Sequence, residues 1–583
     1  MRSMTSLVEL RVLEGPNLYF PRAAIKLTLD TGVLSDAPED AVRRLATRVG
    51  LTRVRPGAPG SGFRQRAVLR VVEQLVRQVA REAGTTRLGI RVRPTSDGAR
   101  IVVAYPWRDR SRARALGEAV AGVLDGLPAR TAPDAAALED LVADAAEAVR
   151  RVEPGPRPTT IRPRVPVVAV TGTNGKTTTS RMVAHVARQA GRHVGWSNTD
   201  GVYVDGVLVE AGDYSGPSGA GRVLAHREVD FAVTETARGG ILLKGIGLVH
   251  NDVSVVTNVT ADHLGLHGID TVDQLAEVKA VVPWITRKDG WAVLNADDPR
   301  VHAMRRTTRA RWWIFTRDPD GPAVRETLDV GGRVTTVIDG WICVLRPDAD
   351  PDPLVELVEV PMTLSGLSRF NVENALAAAS ASLAAGLDRE DVVAGLRDFT
   401  PDAEHNPGRM NFFTVPTDRG PVTVVMDLAH NEVGLEAMVE IMRGVLGTQG
   451  RVLLGLGVVG DRTRELIESL GEIAGRDADL VAIGHKAKYF RDRTQAELDA
   501  WLREGLGHVG LGPDDVASYD TELESLVALV AQAGPGDVVG LMCHAERQEC
   551  YDWIASAGGT PDGPDVLREK VRAAQAGQAG QAG

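Results

Sequence analysis

The residues best suited to chemistry lie in VVAVTGTNGKTTTSRMVAHVA, which begins at Val167. A short apolar strand, Val167–Val170, runs into Gly172, Gly175, Lys176 and Thr177, and a helix is predicted from Thr177 to Gln189. Glycines let the backbone curl until its N–H groups converge on phosphate oxygens, and the helix N-terminus adds a favourable dipole. Lys176 is suited to neutralise the β- and γ-phosphates, and the Thr177 hydroxyl to ligate Mg²⁺. The expected nucleotide contacts are Thr173, Asn174, Gly175, Lys176, Thr177 and Thr178. The loop departs from GxxxxGK[ST] at one place, where Val170 holds the first glycine position. A glycine-rich turn with a solvated lysine is the bland alternative, and the strand–loop–helix context argues against it. A second candidate, Glu235, follows the apolar strand Phe231–Thr234. A carboxylate at a strand's C-terminal end borders the ligand crevice of an open α/β sheet.

These residues need a scaffold, and the chain is long enough to supply several. Its 583 residues allow up to about four domains at roughly 150 residues each. Charged residues at 25% and apolar residues at 43% match an ordinary globular protein, which excludes collagen-like and wholly disordered classes. A net charge of −10 argues against a nucleic-acid binder that relies on bulk basic charge. Three cysteines, Cys343, Cys543 and Cys550, make no disulfide framework and suit a reducing compartment. Cys543, His544 and Cys550 lack metal-ligand spacing and read as incidental or buried. The opening MRSMTSLVELRVLEG has no long apolar core, and no apolar run reaches the ~20 residues of a membrane span. A cytoplasmic protein with no membrane partner is expected.

Composition divides the chain. Residues 1–152 read as an N-terminal α+β domain, with a helix whose apolar face runs Val68, Leu69, Val71, Val72, Leu75, Val76 and Val79. Residues 153–166, EPGPRPTTIRPRVP, form a proline-rich linker that neither helix nor sheet interior tolerates. Strands and helices then alternate over 167–399, and again over 400–560 after the break FTPDAEHNPGRMN, which implies parallel sheets covered on both faces. The final QAGQAGQAG predicts a disordered tail over 561–583.

TGTNGKTTT resembles the phosphate loop of the Mur ligase family, ATP-dependent amide-forming enzymes. NTDGVYVDG, GDYSGPSGA, ETARGGIL, NVTADHLGLHGID, NADDP, SRFNVENALAA, NPGRMN, DLAHN and GDR look like the Mur-ligase-like half of the cyanophycin synthetases. The likeness covers about residues 165–550, and LRVLEGPNLYF resembles the start of those enzymes. It implies an α/β protein with an N-terminal α+β domain, a central P-loop Mur-ligase-type domain and a C-terminal Rossmann-like domain. It further implies ATP and Mg²⁺ as cofactors, with Thr177, Glu235 and His263 on the metal and Lys176, His263 and Lys279 as catalytic residues. Lys279 matches a lysine that the family carbamylates. Asn295 is implied to contact adenine, Arg409 the nucleotide phosphates after domain closure, and Asp427 and His430 the ribose and base. Glu432 stands where relatives often carry Pro. No second nucleotide-binding segment separates the two ends, whereas cyanophycin synthetases carry an ATP-grasp domain there. A histidine-bearing segment expected in the N-terminal domain is also missing from SGFRQRAVLRVVEQLVRQVA.

The resulting expectation is an ATP-dependent carboxylate–amine ligase acting through an acyl phosphate. It would join an amino acid to an amino-acid, peptide or polymer-end carboxylate and release ADP and phosphate. A folylpolyglutamate-type glutamate ligase is one alternative. A catalytically silent nucleotide-dependent module that tethers a polymer or partner enzyme is another. A homo-oligomer and a separate ATP-grasp partner enzyme stay open, and no nucleic-acid partner is expected.

Overall fold

A computed structural model describes residues 6–582 except 97, 99, 128–134 and 263, with side chains described to 577. Three sheets organise it. In the N-terminal unit the strands lie in the spatial order Leu7–Leu13, Ala24–Asp30, Arg100–Pro106, Arg91–Pro94, all antiparallel. The helix Gly62–Glu82 buries Val68, Val71, Val72, Leu75, Val76 and Val79, an i, i+3, i+4 stripe that shares one core with Ile25, Leu27, Val103 and Tyr105 of the sheet. Ser61 caps it by accepting from the Arg64 amide. The proline-rich segment is not free of the domains it joins. Ile161 bridges to Leu248, and the Thr160 hydroxyl donates to the Glu14 carbonyl at 2.6 Å.

An eleven-stranded sheet forms the middle of the molecule. Its parallel part runs in the order Arg333–Ile338, Arg311–Phe315, Thr286–Asn295, Asn251–Val256, Val167–Thr171, Phe231–Glu235, Val194–Ser197. Antiparallel strands extend both edges. Val167–Thr171 sits inside this sheet and is buried along its length, which explains an unbroken apolar run rather than an alternating one. Crossovers diverge on either side of it, so the carboxyl ends of this strand and its neighbours border a crevice.

The C-terminal sheet has seven strands in the order Ala517–Tyr519, Leu480–Gly484, Val452–Leu456, Val538–Met542, Val422–Asp427, Asn411–Val415, Thr560–Pro561. The first five are parallel and the last two antiparallel. The structure thus shows the α/β class, with three separately cored sheets. No helix among the described residues is long and apolar enough to cross a membrane.

The expected disordered tail is corrected. Pro564–Ala582 is a helix, and Leu567, Val571 and Ala574 bury its face in the C-terminal domain. The low-complexity repeat drew attention from PDVLREKVRAA before it, whose i, i+4, i+7 apolar spacing is amphipathic; alanine and glutamine then favour continuing the helix. Lys570 adds an ion pair to the buried Asp562 at 2.5 Å and hydrogen bonds to Thr414 and Thr423. Leu567→Ala is expected to cost about 2–5 kcal/mol through lost burial and a cavity. A urea unfolding midpoint equal to that of the parent would show that the helix does not support the domain.

Candidate functional site

The phosphate loop owes its shape to the neighbouring strand. The Thr173 amide donates to the Asn258 carbonyl at 2.9 Å, and the Asn174 amide to Asn258 Oδ1 at 2.8 Å. Thr257 Oγ1 donates to the Asn174 carbonyl at 2.6 Å. Two glycines are obligatory. Gly172 has φ +151°, and a Cβ there would lie 1.8 Å from Thr257 Oγ1. Gly175 has φ +85°, and its Cβ would lie 2.2 Å from Asn374 Oδ1. Lys176 opens the helix Lys176–Gln189 and donates its Nζ to the Thr173 carbonyl at 2.7 Å. Sequence reasoning passed over Thr257 and Asn258, although both stand at the end of a buried strand beside the loop.

Oxygen donors gather at the helix start. Thr177 Oγ1 donates to Glu235 Oε2 at 2.9 Å, and Thr199 Oγ1 to Glu235 Oε1 at 3.2 Å. Glu235 is buried at the end of Phe231–Glu235. These hydroxyl and carboxylate oxygens, from described residues, are donors that suit a hard cation such as Mg²⁺. Lys279, the last residue of the helix Val272–Lys279, points its Nζ at the Gly172 carbonyl, 2.5 Å away. Burial, then the nearby Lys176 charge, hold the Lys279 amine well below its ordinary pKa. A buried amine whose charged form burial disfavours therefore lies beside the phosphate loop. His263, expected on the metal, lies outside the described residues. Its neighbour Asp262 faces Arg462 of the C-terminal domain at 3.7 Å.

The opposite wall comes from the C-terminal domain. Arg409, Asp427 and His430 line one cavity with Thr173, Asn174, Gly175, Lys176, Thr177 and Thr178. Phe370, Met410, Met438 and Ile441 add apolar groups to the lining. Asn371 and Asn374 also line it. Burial pushes the Asp427 carboxyl up to about 6 despite the Arg409 charge. Burial also brings the His430 imidazole down to about 4, so it is neutral at neutral pH. Two contacts latch the walls together: Asn431 Nδ2 donates to Asn174 Oδ1 at 3.1 Å, and Arg547 pairs with Asp200 at 3.2 Å.

Asn295 does not join this lining. Its Nδ2 donates to the Thr257 carbonyl at 2.7 Å and to Glu373 Oε2 at 3.1 Å, while Oδ1 accepts from the Asp297 amide. With its polar atoms so engaged, it braces the strand end behind the loop. Burial raises the Glu373 carboxyl to about 7 although Arg317 opposes the shift. The native state then binds more protons than the unfolded chain between pH 4.5 and about 7, so stability falls as pH rises through that window. The loss is at most about 3 kcal/mol. Glu373→Gln keeps an acceptor for Asn295 and cannot ionise. Its melting temperature is expected to fall less than the parent's between pH 5 and 8, and parallel profiles would refute the assignment.

All three cysteines are buried and free. Cys543 and Cys550 sit in the C-terminal core, and Cys543 Sγ faces Glu522 at 3.4 Å.

Residues 170–382 match the Mur ligase middle domain, and residues 408–544 match the Mur ligase, glutamate ligase domain. The chain is 40% identical over 369 residues to a cyanophycin synthetase of Crocosphaera subtropica, covering 63% of this chain and 40% of that protein. It therefore spans well under half the length of that relative. It is 28% identical over 429 residues to the UDP-N-acetylmuramoyl-L-alanyl-D-glutamate–2,6-diaminopimelate ligase of Geobacillus kaustophilus, covering 70% of this chain and 79% of that one. Escherichia coli FolC in complex with DHPP and ADP superposes with a TM-score of 0.46 at 20% identity, over 67% of this chain and 89% of that chain.

Proposed function

Because residues 170–382 and 408–544 place this chain in the Mur ligase family, we propose that it is an ATP-dependent carboxylate–amine ligase. We infer that it joins an amino acid to an amino-acid or peptide-like carboxylate, with release of ADP and phosphate. One observation carries this reading. A phosphate loop with Lys176 and Thr177 faces Arg409, Asp427 and His430 of a second domain across a single cavity. Such a cavity offers polar groups for phosphates and apolar groups for an aromatic base.

A carboxylate and an amine do not condense in neutral water without activation. In the proposed reaction, a carboxylate oxygen of the acceptor attacks the γ-phosphorus of ATP and the bond to ADP breaks. The amine nitrogen then attacks the acyl carbon, the carbon–oxygen bond to phosphate breaks, and the nitrogen gives up a proton. Lys176 serves the first step by offsetting charge on the transferring phosphoryl group, which requires it to leave the Thr173 carbonyl. Thr177 and Glu235 would hold Mg²⁺, whose contribution is to neutralise phosphate charge. Arg409 adds a second positive group from the far wall. Acyl phosphates hydrolyse, so water must be kept out. The contacts of Asn431 with Asn174 and of Arg547 with Asp200 support a closed arrangement that does so.

The test supplies ATP and Mg²⁺ with a panel of amino acids and short acidic peptides, and follows ADP and product mass. ADP is expected only when a carboxylate acceptor and an amine are both present, with an adduct one water lighter than their sum. Serial addition of glutamate would identify a glutamate ligase instead. Nucleotide binding without an amide product from any pair would identify a binding module.

A further inference from the structure

The helix Lys176–Gln189 does more than present the phosphate loop. One turn apart, Arg181 and His185 face the connection between the central and C-terminal domains. Arg181 Nη1 donates to Asn406 Oδ1 at 3.1 Å and to the Pro407 carbonyl at 3.3 Å. His185 packs edge-on against Phe399 and His405, with ring centroids 5.6 and 5.2 Å apart. The helix Arg389–Asp398 ends beside it, and Asp398 Oδ2 lies 3.0 Å from His185 Nε2. One donor atom each from His185, Asp398 and His405 lies within 4.8 Å of the others.

This triad has the makings of a coordination site. Two imidazole nitrogens and one carboxylate oxygen, drawn from three separate segments, are a borderline donor set that suits zinc better than magnesium. The supporting groups are already placed. His405 Nδ1 lies 3.0 Å from both carboxylate oxygens of Asp402, which also accepts the His405 amide at 2.7 Å. A carboxylate on one ring nitrogen fixes the ring and leaves the other nitrogen to ligate. Gln189 Nε2 donates to Asp398 Oδ2 at 2.9 Å and orients that carboxylate. Asp398 and Asp402 together offset two positive charges. All three ligands are partly open to solvent or exposed, so water has access to a fourth position. None of the three lines the nucleotide cavity.

We propose that His185, Asp398 and His405 bind one divalent transition metal ion of the zinc class, with water completing the shell. The ion ties the phosphate-loop helix to the interdomain connection four residues before Arg409, and so restrains the group that reaches the nucleotide from the second domain.

The full chain, stripped with a chelator, is titrated with Zn²⁺ under excess Mg²⁺, and bound metal is counted by elemental analysis. Co²⁺ serves as the spectroscopic probe. One Zn²⁺ per chain is expected, with intense visible bands from four-coordinate Co²⁺ and a melting temperature raised by Zn²⁺. The double variant H185Q/H405Q is expected to lose the stoichiometric ion and the melting shift. Asp402→Asn, which leaves every ligand in place, is expected to weaken binding about 10–100-fold. Circular dichroism confirms that each variant is folded. Metal content equal in the parent and the double variant overturns the site, as does a parent that binds no Zn²⁺. Undiminished affinity in Asp402→Asn overturns the supporting role of that carboxylate.

Discussion

Lys176→Ala is expected to lower turnover by about 10²–10³-fold, because it removes a positive charge from the point where phosphoryl charge develops in a water-poor cavity. The side chain is only partly buried, and its described partner is the carbonyl of Thr173 in the loop it follows. Folding should therefore survive, and circular dichroism with a thermal melt checks this. Lys176→Arg is the informative companion. It keeps the charge but replaces a compact ammonium with a planar fork whose donors cannot converge on one point as an ammonium does. Activity well below the parent in both variants, with nucleotide affinity reduced more in Lys176→Ala, is the expected pattern. Near-parental turnover in Lys176→Ala would remove the main support for phosphoryl transfer at this loop.

The second large effect concerns Lys279. Burial lowers the pKa of the Lys279 amine and so favours its nucleophilic, unprotonated form, and the Gly172 carbonyl orients it. Attack of that nitrogen on CO₂ with loss of a proton would convert a neutral amine into a carbamate anion, beside Lys176 and near Glu235. The change reverses the local electrostatics, since an added positive charge is disfavoured there and a negative one is matched by Lys176. Turnover is expected to drop in CO₂-depleted buffer and to return with bicarbonate. Lys279→Ala should fall about 10²-fold or more if the anion stabilises developing charge through a bound cation. It should also ignore bicarbonate. Lys279→Glu, which supplies a permanent carboxylate, should recover part of the loss. A parent indifferent to bicarbonate, paired with an inactive Lys279→Ala, would mean that the free amine is the working form.

Much of the site was legible because phosphate binding imposes local demands. A buried strand, glycines at two turns of positive φ, a lysine and a hydroxyl must follow one another within about ten residues, and they do so from Val167 to Thr177. Glu235 was also legible, since an acid that closes an apolar strand is conspicuous. Asn295 was not. A turn-forming Asn-Ala-Asp-Asp gives no sign that its amide will be engaged by Thr257 and Glu373. The tail helix was misjudged for the opposite reason, because a repetitive ending obscured the amphipathic spacing of Leu567, Val571 and Ala574.

What the chain's own order of residues determined is the set of local instruments: where strands stop, where glycines let a loop curl into a helix, where proline forbids regular structure. These depend on backbone geometry and on burial patterns that repeat within a few residues. Tertiary structure alone decided how the two walls meet. Arg409, Asp427 and His430 stand more than two hundred residues from Lys176, yet line the same cavity. The lowered pKa of Lys279 and the convergence of His185, Asp398 and His405 were decided there too. Burial and distance set charge states and coordination, and neither quantity exists until distant segments have packed together.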